Sequence, residues 1–451
     1  MNETPEARMR EDWNARARED ANYYVAFGRR GQPSDEFFST AEEMVRAFER
    51  ELRRLPPGNP RARRALEIGC GPGRLMLPLA RHFGEIHGVD ISDEMIRLAR
   101  EHLAGVSHAH AHHTPSSDLA AFADDSFDFV YSYAVFQHIP YREVVERYFR
   151  ETRRVLKTGG IARFQVNGLP ETAARYDTWN GVRIPAADIA AFARENDFQL
   201  LALEGAGTQY LWTTWRKRPA GWFEGLASAP PPKPARLVRI TNTYSSEPAA
   251  PSRGRFAAVS LWFEHLPPEC DLNRLEISIG GERAFATYIG PPEEGEPQQV
   301  NALVPAGLAS GLQPVEVLWL GRPLCPPAML RVVPAGPAVP RLVRVSDGID
   351  LLSGTRIVTG SVKLVIEELE RPEEFTASIG GRPVGGIDHF CVDPRVPSYE
   401  INFRIPEDLP PGPARLEISL GRRRLGPVEL EIAAGRSGNE GSLQPPQTSG
   451  S

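Results

Sequence analysis

Cysteine is scarce. The four present, Cys70, Cys270, Cys325 and Cys391, lie far apart. That spacing excludes a disulfide framework and the paired ligands of a structural metal site, so no metal is expected. Long apolar runs are missing too. No stretch approaches the ~20 apolar residues of a membrane-spanning helix, and the N-terminal segment lacks the apolar core of a signal peptide. No membrane association is expected, and a reduced cytoplasm is the expected compartment. Positive charge is not in excess: 52 Lys and Arg stand against 58 Asp and Glu, a net −6. This excludes a broad field that would hold nucleic acid by its phosphates. The cluster Arg50, Arg53, Arg54, Arg61, Arg63 and Arg64 is read as solvated surface, the alternative being an anion or partner contact. What remains is a globular composition over 451 residues, a length that suggests about three domains.

The pattern changes along the chain. Residues 1–60 read as a helical cap, with Trp13, Ala17, Ala21 and Tyr24 at helical spacing. A second helix is expected from Thr40, where Glu43 stands three residues on as in a capping box. Residues 61–218 alternate short apolar strands with amphipathic helices and end in an antiparallel pair. That is the signature of an α/β fold with a mostly parallel sheet covered on both faces. Residues 219–235 are proline-rich and read as a stiff linker. Residues 236–335 and 336–434 form an internal repeat. Arg236–Ile240 recurs as Arg341–Val345, and Ser278–Gly281 as Ser378–Gly381. Each copy has short strands split by Gly and Pro turns, the rhythm of an all-β sandwich of immunoglobulin-like size. The tail, 435–451, is polar and expected to be disordered.

One segment carries chemistry. Ala65-Leu-Glu67-Ile-Gly69-Cys70-Gly71-Pro-Gly73-Arg74 follows a strand and opens a helix. Glycines there allow a tight turn and let a ligand lie against the main chain. The helix N-terminus behind them favours an anionic group. A dinucleotide fingerprint would need a third glycine where Arg74 stands, which counts against a dinucleotide-dependent oxidoreductase. Asp90 ends the next strand and suits two ribose hydroxyls, unless it caps the following helix, a role Ser92 fits better. Met95, one turn into that helix, is a candidate adenine platform or a packing residue. Asp118 and Leu119 suit the adenine edge, against a turn aspartate bonded to its own loop. Carboxylates around such a site favour a cationic ligand.

Taken in order, Glu67-x-Gly69-x-Gly71-x-Gly73, Asp90, Asp118-Leu119, Ser126–Val130 and the Arg154–Gly160 turn resemble the class I S-adenosylmethionine-dependent methyltransferase family over about residues 60–217. The resemblance implies a Rossmann-like seven-stranded sheet with a reversed last strand. It implies S-adenosyl-L-methionine as cofactor, held by Glu67, Gly69, Cys70, Gly71 and Gly73 at its methionine end, by Asp90 and Ile91 at the ribose, and by Asp118 and Leu119 at the adenine. Met95 and Tyr133 complete the cofactor set. Leu119-Ala-Ala replaces the commoner Leu-Pro and leaves the adenine contacts open.

The acceptor side should lie beyond the strand ends. His138, in the loop after the fourth strand, is the candidate catalytic base, against a histidine that bonds the loop backbone. Trp179, Tyr210, Trp212 and Trp215 suit a ring substrate such as a sugar, against plain core packing. The expected function is methyl transfer to an oxygen or nitrogen of a small-molecule or glycan-linked acceptor. The β modules would bind a protein or glycan partner or act as a spacer. The alternative is a non-catalytic cofactor-binding scaffold.

Overall fold

The structure is a computed structural model that describes residues 4–26, 30–172, 175–228, 234–393 and 396–434. The expected disordered tail lies outside the described residues. Two compact units are distinguished: the first takes the described residues up to Ala26 and Pro33–Pro337, the second the described residues of 27–32 and those from Ala338 on. Among the described residues, no helix is long and apolar enough to cross a membrane, and no cluster of three or more His, Cys, Asp or Glu could hold a metal ion.

The first unit begins with α1 (Pro5–Ala26), α2 (Ser34–Ser39) and α3 (Glu42–Leu52). α1 breaks at Asp20, whose backbone is extended and whose carboxylate accepts the Tyr23 amide at 3.1 Å, starting a second short segment. The capping box expected at Thr40 does not form, because α3 starts at Glu42 behind Ala41. The Thr40 hydroxyl instead donates to Phe37 O at 2.6 Å, and its oxygen accepts from Arg74 at 3.0 Å.

The α/β part follows as β1 (Arg64–Ile68), α4 (Met76–Leu79), β2 (Glu85–Asp90), α5 (Asp93–His102), β3 (Ala109–His113), β4 (Phe127–Ser132), α6 (Arg142–Val155), β5 (Leu156–Val166), α7 (Ala186–Glu195), β6 (Phe198–Glu204) and β7 (Leu211–Lys217). The strand order is β3-β2-β1-β4-β5-β7-β6. β1 to β5 pair in parallel, and β7 runs antiparallel to both neighbours. This is a Rossmann-like seven-stranded sheet with one reversed strand. The period-two alternation of strands sends Leu66, Ile68 and Val130 to one face, against Val145 and Phe149 of α6. Ala65, Phe129 and Tyr131 go to the other, against Phe48 of α3 and Leu79 of α4. The strand order reverses between β1 and β4, and the glycine turn leaves β1 there, at the point where open α/β sheets bind ligands.

The first β repeat does not hang from this sheet; it continues it. The segment after β7 is helical rather than extended. α8 (Trp222–Gly225) is seated by the Asp197 carboxylate, which accepts the Gly221 and Phe223 amides at 2.8 Å each. Phe223 and Leu226 are buried in the shared core. Part of the expected linker, 229–233, lies outside the described residues. The repeat comprises β8 (Arg236–Asn242), β9 (Ala249–Pro251), β10 (Ala258–Glu264), β11 (Leu275–Ile279), β12 (Glu282–Ile289), β13 (Gln298–Leu303), β14 (Gly311–Trp319), β15 (Arg322–Pro323) and β16 (Ala328–Val333). β12 joins β6 through the pair Tyr288↔Ala202. Next to it, Leu200 donates its amide to the buried Asp271 carboxylate and accepts from the Leu272 amide at 3.0 Å. Beneath this seam Glu51 is fully buried and accepts from Arg54 Nε at 2.6 Å and from Thr214 at 3.1 Å. Burial opposes its ionisation, but Arg54, Arg163 and Arg50 pull its pKa down to about 2. The Arg50 and Arg54 guanidinium groups lie 4.9 and 5.1 Å from the Tyr288 ring centre.

The second unit repeats the pattern: β17 (Arg341–Asp347), β18 (Arg356–Ile357), β19 (Ser361–Glu367), β20 (Phe375–Ile379), β21 (Arg382–Pro383), β22 (Gly385–Asp393), β23 (Ser398–Arg404), β24 (Gly412–Leu420) and β25 (Arg423–Ile432). Its two sheets, β17-β19-β23-β22 and β18-β25-β24-β20-β21, enclose one core with Leu364, Phe403, Leu416 and Leu430. Asp388, His389 and Cys391 sit on β22.

Candidate functional site

The turn after β1 is fixed by β2. The amides of Gly69 and Cys70 donate to Val89 O at 2.8 and 3.0 Å, which bends the chain out of the sheet. Gly69, Gly71 and Gly73 all take positive φ (71°, 51° and 85°), a region side chains rarely enter. A Cβ on Gly69 would stand 2.3 Å from Val135, and one on Gly71 would stand 3.3 Å from Val25 of α1. The turn is therefore covered by one valine from the loop after β4 and one from the cap.

Asp90 closes the other side. Its carboxylate accepts the Gly71 amide at 2.9 Å through one oxygen and the Ser92 amide at 2.9 Å through the other. Turn and acid thus face each other. Ser92, not Asp90, caps α5, accepting the Met95 amide at 3.1 Å. Burial pushes the Asp90 carboxyl above the usual range, although the two amides oppose this. Glu67 is buried beneath the turn and accepts from the Tyr131 hydroxyl at 2.9 Å. Burial raises it to about 8. Cys70 is buried and its thiol is pushed far up by the same cause, so it is a packing group, not a nucleophile.

The remaining expected residues divide. Ile91 is buried beside Asp90 and accepts from His113 through its carbonyl at 3.1 Å. Met95 is no open platform: it is buried beneath Ala17 and Ala21 of α1, whose small side chains let the helix settle on it. Asp118 is exposed and accepts the Ala120 amide at 3.1 Å, a turn contact. Leu119 is buried at φ 45°, and its carbonyl accepts from Arg154 at 3.1 Å. Tyr148 of α6 is buried within electrostatic reach of both Asp90 and Asp118, which raises its pKa, burial being the larger cause. Tyr133 stacks on Trp212 with centroids 5.5 Å apart.

His138 is buried, with both ring nitrogens engaged. Nδ1 lies 3.1 Å from Trp179 O, and Nε2 lies 3.2 Å from Gln137 Nε2. Burial lowers its pKa to about 4. This is the geometry of a histidine that ties loops together, and it differs from the expected base. Trp215 is fully buried against Phe149, Phe164 and Phe198, so it packs the core and meets no acceptor. Trp179 and Tyr210 are 45% and 47% exposed.

Three features escaped sequence reasoning. Gln165 is fully buried and accepts the Ala134 amide at 3.1 Å while donating to Gln137 at 2.8 Å, which shapes the loop after β4. Asn14 of α1 accepts from Ser92 Oγ at 2.6 Å and donates to Asp93 at 2.6 Å, pinning the cap to α5. Arg74 turns inward instead of into solvent. Polar residues inside apolar segments were the only available signal for Gln165 and Arg74; nothing local marked Asn14.

Residues 66–164 match the family model for a methyltransferase domain. Ubiquinone biosynthesis O-methyltransferase of Sinorhizobium fredii (strain NBRC 101917 / NGR234) is 32% identical over 98 residues, which is 22% of this chain and 38% of that protein. Phosphoethanolamine N-methyltransferase 2 of Caenorhabditis elegans is 35% identical over 97 residues, 21% of this chain and 22% of that protein. Among solved structures, phosphoethanolamine N-methyltransferase 1 of Haemonchus contortus, in complex with phosphoethanolamine and S-adenosylhomocysteine, is 13% identical with a TM-score of 0.38, covering 49% of this chain and 50% of that one. The chain spans 38%, 31% and 22% of the length of the first three curated relatives it matches. Residues 66–164 thus carry a methyltransferase domain. S-adenosylmethionine is the cofactor that the motif order leads one to expect there. A Cβ-free turn against a strand-end carboxylate fits that group.

Proposed function

We propose that this chain transfers the methyl group of S-adenosylmethionine to an oxygen or nitrogen of a small-molecule acceptor. One observation carries the reading: Asp90 accepts the Gly71 amide, which brings the strand-end acid directly against the glycine turn. The cofactor, when bound, supplies an electrophilic methyl on a sulfonium that becomes a neutral thioether.

Glu67, Gly69, Cys70, Gly71 and Gly73 form the methionine end of the pocket, Asp90 and Ile91 the ribose end, and Asp118 and Leu119 the adenine end. Met95 supports the cap above it, and Tyr133 walls the acceptor side. His138 orients the loop bearing Trp179 rather than taking a proton. Transfer then depends on alignment, which can supply on the order of 7 kcal/mol or more of barrier reduction without a base. α1 is the lid that excludes water, hinged at its Asp20 break. A carbohydrate or glycan-linked acceptor is the narrower reading and rests only on the exposed Trp179 and Tyr210 rings. We assign 61–218 to the enzyme and 236–335 and 336–434 to immunoglobulin-like modules, of which the second offers a surface to a protein or glycan partner.

The test is calorimetry with S-adenosylhomocysteine on wild type and Asp90→Ala, with melting temperatures recorded for both. Loss of a charged hydrogen-bond acceptor costs about 1.5–3 kcal/mol, so binding should weaken about tenfold or more. Equal binding by the two proteins refutes the ribose assignment.

A further inference from the structure

Arg74 is the first residue past the glycine turn, and it is only 6% exposed. Its Nη1 donates to Thr40 Oγ1 at 3.0 Å and reaches Thr40 O at 3.4 Å. Its guanidinium lies 5.7 Å from the Tyr133 ring centre, at the acceptor end of β4. Its Nε is buried with no hydrogen-bond partner among the described residues. The one carboxyl acting on it is Glu67, which burial holds largely protonated at neutral pH. A guanidinium so placed is desolvated, partly unpaired and short of countercharge. It also keeps the planar donor fork that matches a carboxylate. A buried charge is costly unless a partner of opposite charge meets it.

We propose that Arg74 is the receptor for a ligand carboxylate at the glycine turn, namely that of the methionyl end of the cofactor. This rests on the cofactor reading above and adds to it a charged contact outside the residues expected from the motif. The turn's own amides are committed elsewhere: Gly69 to Val89, Gly71 to Asp90 and Gly73 to Cys70. A methionyl carboxylate would thus find its donors on the side chain that follows the turn. Thr40 is a positioning residue, since it orients the fork through Nη1 and leaves Nε to the ligand.

The experiment is calorimetry on the full chain with two probes, S-adenosylhomocysteine and its decarboxylated analogue S-adenosyl-3-thiopropylamine, on wild type, Arg74→Met and Arg74→Lys. Wild type should bind S-adenosylhomocysteine at least tenfold more tightly than the decarboxylated analogue. Arg74→Met should lose at least tenfold for the former and no more than twofold for the latter. Arg74→Lys, which keeps the charge but not the fork, should lose less than Arg74→Met and guards against a methionine variant that fails to fold. An unchanged affinity in Arg74→Met, or equal losses for both probes, overturns the proposal while leaving the cofactor reading intact. Binding of neither probe by wild type overturns that reading and this proposal with it.

Discussion

Glu67 shows how burial decides the chemistry of one residue at this site. Its carboxyl lies under the turn, bonded to Tyr131, and is raised to about 8. An acid raised in the folded state is protonated more readily there than in the unfolded chain. Its stabilising contribution is therefore complete below the ordinary carboxyl value of 4.5 and is lost as pH rises through about 8. Glu67→Gln keeps an acceptor for Tyr131 and cannot titrate. The stability difference between wild type and Glu67→Gln, measured by urea unfolding, should move against wild type by a few kcal/mol between about pH 5 and pH 8. A difference that stays flat over that window would place an ionised carboxylate beneath the turn. The neighbouring groups were legible to different degrees. Glu67, the glycines and Asp90 follow one another along adjacent strands, so their order in the chain encodes their meeting. The inward turn of Arg74 depends on Thr40, 34 residues earlier, and its place in an apolar segment is the only local sign of it.

At the scale of elements, α1 ties the cap to the site. Asn14 bonds Ser92, Asp93 and the Glu94 amide, the residues that open α5 behind Asp90. Glu6, near the start of α1, accepts from Arg147 at 3.0 Å. Asn14→Ala should cost roughly 1–3 kcal/mol of helix docking, because it leaves part-buried polar partners unmatched. Faster amide exchange across 5–26, with the rest of the sheet unchanged, is the expected signature. Most elements could be read from apolar periodicity. β3 could not. Ala109-His-Ala-His-His113 holds no β-branched or aromatic hydrocarbon side chain, and its place in the sheet comes from pairing with β2. β5 begins at Leu156, because that residue pairs with Phe127 before the chain bulges and resumes pairing at Ile161. At Thr40 the expected capping box gives way to a local bond to Phe37 O and a long-range one from Arg74.

At the scale of the whole molecule, the boundary that matters is the seam between β6 and β12. The edge strand β6 would otherwise offer unpaired backbone to other chains. Removal of the first repeat would also bare Glu51 and Arg54, which are fully buried under Tyr288. A chain of residues 1–337 should be soluble and melt in one transition, whereas residues 1–218 should aggregate or melt several degrees lower; light scattering and calorimetry decide. Equal behaviour would make the repeat an appendage. The repeat has one more consequence. Tyr288 pairs with Asn301, and Asp388 pairs with the matching Asn402, so the two residues occupy the same slot in their copies. Where one copy sets a phenol against two guanidinium groups, its twin carries an acid, and in the first copy's surroundings that acid would confront Glu51. The duplicates are thus two plugs cut from one template, of which a single one fits the enzyme's socket, and the order in which they are strung is not interchangeable.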